Sequence, residues 1–128
     1  MVAITRTSIR NSFRYAQRGI SHTFKTQQSF RIQVLLALVV VFLMVFFEVT
    51  AKDAIILLFA IAAVLILELI NTVFEYLTDL VNPKLQPAAR VVKDTMAGAV
   101  FLASLFAVIV GGVIFWPYIA KYIGLSGS

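Results

Sequence analysis

Three long apolar runs dominate the pattern of hydrophobic and polar positions along this chain. They cover residues 30–49, 54–81 and 95–120, and polar or charged residues separate them. An α-helix rises about 1.5 Å per residue, so about 20 apolar residues are enough to cross the hydrocarbon core of a bilayer. The pattern therefore predicts three transmembrane helices, joined by a short first loop and by a polar connection at residues 82–94, in which a helix can restart after Pro87.

A basic arm, residues 1–29, precedes the first run. Its apolar residues recur at helical spacing between arginines: Ile9, Phe13, Ala16 and Ile20. This pattern is typical of a helix that lies in the membrane interface on anionic lipid. A basic cluster beside a span usually serves lipid binding and orientation, so we predict no nucleic-acid partner. The predicted fold is an all-α integral membrane domain over residues 1–128, with an N-terminal amphipathic interfacial helix plus three transmembrane helices.

Composition agrees with a membrane protein and limits the chemistry. Hydrophobic residues make up 61% of the chain, against about 45–50% in typical soluble domains. Cysteine is absent, which excludes disulfides and Cys-ligated metal sites. Any metal ion must therefore bind to oxygen ligands or to the single histidine, His22.

Positive charge is distributed unevenly between the two ends of the predicted spans. Lys and Arg number six up to Arg31, one in the 48–53 loop, three in residues 82–94 and one after the last run. The positive-inside rule then predicts a cytoplasmic N terminus and second loop, with the first loop and the C terminus outside. The arm is too long for the charged start of a signal peptide, so we expect all three runs to remain in the mature protein.

A polar stripe lies in the last part of the second run, where the sequence reads ELINTVFEYLTDL. Glu68, Asn71, Glu75 and Asp79 are spaced so that they share one side of a helix. Acidic residues at membrane depth are usually functional. With Lys93 nearby, they favour a site for Mg²⁺ and a polyphosphate. The sequence has no Walker A or kinase-type glycine loop, so a kinase here must be built from helices.

Three segments carry a family resemblance: FRYAQRGI at 13–20, LELINTVFEYLTD at 67–79 and VVKDTMAGAVFLAS at 91–104. Together they resemble the prokaryotic diacylglycerol kinases, small three-span lipid kinases. The resemblance implies transfer of the γ-phosphoryl of MgATP to a lipid alcohol, in a homotrimer with shared sites, in the bacterial inner (cytoplasmic) membrane. The connection from residue 82 to 100 is more similar to the Gram-positive branch, whose members phosphorylate undecaprenol; diacylglycerol is the alternative substrate.

The resemblance also implies roles within the stripe. Glu68 corresponds to the catalytic carboxylate that takes the proton of the lipid hydroxyl, Asn71 to an active-site amide and Glu75 to a metal ligand. Gln27 stands where the family commonly has a second metal-ligand Glu; its amide oxygen can bind Mg²⁺ but supplies no charge. Gln33 likewise replaces an acidic residue. The alternatives are a carboxyl bonded to a neighbouring helix for Glu68, a polar clamp for Asn71 and a solvated acid for Glu75.

The remaining roles concern the nucleotide. Lys93 and Asp94 correspond to the family's nucleotide-binding pair, with Lys93 facing phosphate, and Tyr15 corresponds to an aromatic residue near the nucleotide. Alone, Lys93 and Asp94 could form an interfacial ion pair or a helix cap, and Tyr15 could simply pack in the surface helix.

A function of a different class also fits the stripe. A non-enzymatic oligomer, either a small pore or a scaffold, could be lined by the same acidic residues. That hypothesis predicts ion flux without ATP and tolerance of Lys93→Ala.

Overall fold

The computed structural model describes residues 6–81 and 86–125, and these residues are almost entirely helical. Its four helices are α1 (Arg6–Thr26), α2 (Gln28–Phe46), α3 (Ala51–Asp79) and α4 (Gln86–Tyr122). The last three are long and apolar enough to cross a membrane, and no strand occurs in the described ranges. The predicted all-α fold of one amphipathic helix followed by three spans is confirmed.

A sharp elbow joins α1 to α2 at Gln27, the single non-helical residue between them. Its backbone is extended, with φ −105° and ψ 114°. Arg31, in the first turns of α2, donates from its guanidinium to the carbonyls of Phe24 and Lys25, at 3.0 Å each. Since the last carbonyls of a helix lack intrahelical donors, Arg31 caps α1 and stabilises the elbow.

The connection from α2 to α3 is held by helix caps and by α4. Thr50 caps α3 by accepting a hydrogen bond from the backbone N–H of Asp53 (3.2 Å). The Tyr118 hydroxyl, on α4, donates to Asp53 Oδ2 (2.6 Å) and accepts from the Thr50 N–H (3.1 Å). This loop is therefore fastened to α4 at the end of the bundle opposite the polar stripe.

Glu48 has a left-handed backbone with φ 50°, the only such non-glycine residue in the described ranges. The Val49 N–H reaches back to the Met44 carbonyl (3.1 Å), as in the helix ending that normally takes glycine. We expect Glu48→Gly to raise the free energy of unfolding by about 1 kcal/mol, because glycine adopts this conformation without strain. Unfolding in detergent measures the change, and Glu48→Ala, which keeps the strain, should give no comparable gain.

Helix α4 includes most of the polar connection as well as the third apolar run. Residues 86–94 are helical and continue without a break into residues 95–120. Pro87 does not prevent this, because it lies in the first turn, where a backbone N–H has no intrahelical acceptor. At about 1.5 Å per residue the helix is longer than a bilayer core is thick. Its first turns therefore extend beyond the span, and they carry Lys93 and Asp94.

Few side chains are buried in this thin bundle, and polar residues are prominent among them. α3 packs chiefly against α4 and also contacts α2. Within the described ranges the buried apolar residues are Phe30, Leu57, Val64 and Phe115, and the buried polar residues are Thr23, Glu68, Asn71 and Thr72. Three of those four polar residues, Glu68, Asn71 and Thr72, belong to one segment of α3. This segment is therefore the candidate functional site.

Candidate active site

Glu68 is the most deeply buried acidic side chain in the described part of the chain, with 3% of its surface exposed. Both carboxylate oxygens accept hydrogen bonds from α2. Ser29 donates its hydroxyl to Oε1, and Gln33 donates its amide to Oε2 at 3.3 Å. A buried carboxylate is tolerated when its oxygens are hydrogen-bonded. Glu68 is thus fixed in position by hydrogen bonds to both oxygens, which favour its ionised form.

Gln33 presents a second acceptor beside Glu68. Its amide nitrogen faces the carboxylate, while its carbonyl oxygen is buried and has no hydrogen-bond partner among the described residues. A buried acceptor without a partner is costly, so it marks a place where a donor is missing. Gln33 also lines one part of an otherwise largely apolar groove of about 310 Å³ between α2, α3 and α4, which includes Val64, Ala107 and Gly111. An apolar chain with a hydroxyl at its end fits this environment.

Glu75, two turns further along α3, gathers two amide side chains. Asn71 donates to Oε1 and Gln27, at the elbow, donates to Oε2, each at 3.2 Å. The structure therefore brings together three residues that the sequence proposes for the metal and active site. In the described ranges no three acidic, His or Cys side chains converge on one point. In the cluster of Gln27, Asn71 and Glu75, the carboxylate comes from Glu75 alone.

The ligand chemistry of this cluster fits Mg²⁺. Mg²⁺ prefers oxygen ligands and is typically held by one or two carboxylates together with substrate phosphates and water. Amide side chains carry both an oxygen and a nitrogen, and rotating the amide by half a turn exchanges them. Gln27 and Asn71 can therefore turn oxygens toward a cation that binds to Glu75.

Lys93 is joined to the end of the stripe by an ion pair. Its Nζ lies 2.5 Å from Asp79 Oδ1, and the two side chains are 42% and 65% exposed. Exposed ion pairs contribute little free energy, so Lys93 can exchange this partner for a phosphate at small cost. Asp79, the last acidic residue of the stripe, is thus the partner of Lys93.

Asp94 and Tyr15 lie outside this hydrogen-bonded cluster. Asp94 is exposed on α4 and forms no hydrogen bond or ion pair with the described residues. Tyr15 is 58% exposed on α1, and the guanidinium of Arg14 lies 5.9 Å from its ring centroid. Neither residue contacts the described residues of the stripe through a polar bond.

Sequence reasoning missed three partners of the stripe. Ser29 and Gln33 lie four residues apart on α2, a spacing that could have indicated one face aimed at one acceptor. Thr72 donates its hydroxyl to the Glu68 carbonyl at 3.0 Å. A separate contact that the sequence does not indicate joins α1 to α3, where His22 Nε2 lies 2.7 Å from the Tyr76 hydroxyl.

Comparison with known proteins identifies relatives over most of the chain. The model of the prokaryotic diacylglycerol kinase family matches residues 14–115. The chain is 40% identical over 107 residues to the diacylglycerol kinase of Synechocystis sp., covering 83% of this chain and 61% of that protein. It is 34% identical over 106 residues to the undecaprenol kinase of Bacillus subtilis, covering 83% of this chain and 86% of that protein.

A third relative is the diacylglycerol kinase of Haemophilus influenzae, 27% identical over 111 residues, with 86% of this chain and 94% of that protein covered. The chain therefore spans less than two thirds of the Synechocystis protein but most of the other two. The family match includes Gln27, the whole polar stripe of α3 and Lys93. The chain belongs to the prokaryotic diacylglycerol kinase family of membrane lipid kinases.

Proposed function

We propose that this protein transfers the γ-phosphoryl group of MgATP to the hydroxyl of a membrane lipid alcohol, either undecaprenol or diacylglycerol. The observation that carries this proposal is the buried Glu68 carboxylate beside the unpaired Gln33 carbonyl, at an apolar groove. A lipid whose tail lies in the groove would bring its hydroxyl to Gln33, which lines the groove and is bonded to Glu68. That placement supplies the orientation on which phosphoryl transfer chiefly depends.

The chemistry is a direct in-line displacement. The lipid oxygen attacks the γ-phosphorus, the bond from that phosphorus to the β,γ-bridging oxygen breaks, and ADP leaves. The proton of the lipid hydroxyl passes to Glu68, which Ser29 and Gln33 hold in place. Since Ser29 already donates to Oε1, the lipid hydroxyl would replace or share that bond. No phosphorylated enzyme is required.

The nucleotide half of the site would be built around Glu75. Glu75, Gln27 and Asn71 would hold Mg²⁺, which supplies neutralising charge to the phosphates when bound. Lys93 would leave Asp79 to neutralise the transferred group, and Asp94, on the same turn of α4, would complete the polar surroundings. Tyr15 would contact the nucleotide from α1. The exposure of Lys93, Asp94 and Tyr15 supports access from the aqueous side.

Replacing Gln27 by Glu should strengthen Mg²⁺ binding. The new carboxylate would face Glu75, whose oxygen lies 3.2 Å from the present amide nitrogen, so the two charges repel each other until a cation joins them. We expect the Mg²⁺ concentration for half-maximal activity to fall on the order of tenfold, with thermal stability becoming more dependent on Mg²⁺. Gln27→Ala should change the requirement in the opposite direction. An unchanged Mg²⁺ requirement in both variants would remove position 27 from the metal site.

The proposal includes an orientation and an assembly. The charge distribution supports a cytoplasmic N terminus and active site, with the C terminus outside. Small residues recur along α4 at Ala99, Ala103, Ala107 and Gly111, and a Cβ added at Gly111 or Gly112 would meet nothing within 4 Å. Because Ala107 and Gly111 also line the groove proposed for the lipid tail, this seam does not by itself identify a contact with another chain, and the homotrimer is proposed from the family resemblance.

The substrate is tested by supplying γ-labelled ATP and Mg²⁺ to the purified protein in lipid micelles, with undecaprenol and diacylglycerol in parallel. The proposal predicts a labelled lipid phosphate from at least one of them, and the ratio of the two kcat/KM values identifies the preferred lipid. Absence of label from both lipids, with folded protein, would contradict the proposal. Ion flux through vesicles without ATP would instead favour a pore.

A further inference from the structure

A pair of polar side chains joins the interfacial helix to the end of α3. His22 Nε2, on α1, lies 2.7 Å from the Tyr76 hydroxyl, and the two ring centroids are 5.6 Å apart. Tyr76 directly follows Glu75, the proposed metal ligand. The pair therefore connects α1 to α3 beside the proposed nucleotide half of the site.

The apolar packing between α1 and α3 is loose, so polar contacts contribute more to holding the two helices together. A groove of about 470 Å³ separates the two helices, with Ile20 and Leu69 among its lining residues. A Cβ added at Gly19, in the same groove, would meet nothing within 4 Å. Thr23 is buried in this region, but it bonds back to the Gly19 carbonyl of its own helix. The His22–Tyr76 hydrogen bond, between two exposed side chains, is therefore a side-chain contact that helps to hold α1 against α3.

A second polar contact lies just beyond the first. Gln27 donates to Glu75 at 3.2 Å, so residues 22 and 27 of the arm bind the consecutive residues 76 and 75 of α3. The Gln27 N–H also bonds to the Thr23 carbonyl at 2.8 Å, which makes the segment between the two contacts a continuous helical turn. A movement of His22 away from Tyr76 would therefore displace the Gln27 amide from Glu75.

We propose that His22 and Tyr76 are positioning residues that fix the arm so that Gln27 meets Glu75, and that they thereby set the affinity for MgATP. This inference rests on the proposed function of the Glu75 cluster. It predicts a selective effect, because Glu68 is held by Ser29 and Gln33 of α2 and not by α1. Losing the pair should weaken nucleotide binding and leave the transfer step nearly unchanged.

The test measures steady-state kinetics of His22→Ala, Tyr76→Phe and the double variant. Each single change should raise KM for MgATP about threefold to tenfold, the range that the loss of one hydrogen bond produces. The kcat should stay within about twofold, and the double variant should resemble either single variant, because both remove the same bond. His22→Gln, which can still bond to Tyr76, should restore most of the affinity. Tyr122→Phe removes a tyrosine hydroxyl at the opposite end of the bundle and should have no effect.

Backbone hydrogen exchange of α1 gives a readout that needs no catalysis. Residues 19–26 should exchange faster in His22→Ala and Tyr76→Phe than in the wild type or in Tyr122→Phe. Unchanged exchange, additive effects in the double variant, or a lower kcat at constant KM would overturn the inference. A wild-type protein that transfers no phosphoryl group would refute the proposed function instead, and hydrogen exchange would still decide whether the pair holds α1.

Discussion

Glu68→Gln should abolish most lipid phosphorylation while the protein still binds MgATP. The substitution keeps the shape and the burial of the side chain but removes its ability to take a proton. A positioned acid or base typically contributes about 10²- to 10⁴-fold to rate, so we expect kcat to fall by about that factor. The KM for MgATP should change little, because Glu75, Gln27 and Asn71 form a separate cluster. Steady-state assays with labelled ATP provide the measurement.

A matched control is available at the other end of α2. Glu48→Gln makes the same chemical change at an exposed acid that is remote from the stripe, and it should leave kcat unaltered. Equal losses in both variants would point to a general effect of removing charge. If Glu68→Gln folds normally and keeps near-normal turnover, Glu68 is not the base.

Lys93→Ala should lower kcat/KM for MgATP by about 10²- to 10³-fold, the usual effect of removing one group that stabilises developing charge. The comparison that isolates this role is Asp79→Asn, which breaks the same ion pair but keeps the cation. Exposed pairs contribute only about 0–1 kcal/mol, so Asp79→Asn should change activity by less than about fivefold. Label transfer and thermal unfolding of both variants provide the measurements.

The two variants also distinguish a kinase from a non-enzymatic pore or scaffold. A pore or scaffold lined by the stripe would tolerate the loss of Lys93, whereas a kinase would not. Equal effects of Lys93→Ala and Asp79→Asn would mean that Lys93 acts only through the ion pair and not on phosphate.

The fold could be predicted from the sequence because lipid leaves few alternatives. A long apolar run must satisfy its backbone within the membrane, and a helix does this within one segment. The exact start of α4 is harder to predict, because proline both ends helices and begins them. Pro87 lies in the first turn here, so α4 begins at Gln86 and carries Lys93 on the same helix as the span.

The site was predictable only along a single helix. Helical periodicity places Glu68, Asn71 and Glu75 on one side of α3, and the Asn71–Glu75 bond agrees with that prediction. The contacts of Ser29 and Gln33 with Glu68 join residues 39 and 35 positions apart. They depend on the rotation of α2 against α3, which the composition of two apolar helices does not specify.

Gln27, at the elbow, is a position where this chain departs from the family pattern. The replacement of a family Glu by Gln predicts a weaker metal site, whereas the structure adds that the amide meets Glu75 directly. A neutral amide can bond to Glu75 without a cation, which a carboxylate at position 27 could not do. Gln27 therefore joins the arm to α3 and at the same time supplies less charge to the proposed metal site than Glu would.

Direct transfer from ATP to lipid is tested by following one equivalent of γ-labelled MgATP through a single turnover, with excess protein and lipid alcohol. All label lost from ATP should appear in the lipid phosphate and none on the protein. Glu68→Gln should retain the label as bound, unreacted ATP. Label that accumulates on the protein or as inorganic phosphate would refute direct transfer, and transfer at the wild-type rate by Glu68→Gln would refute Glu68 as the base.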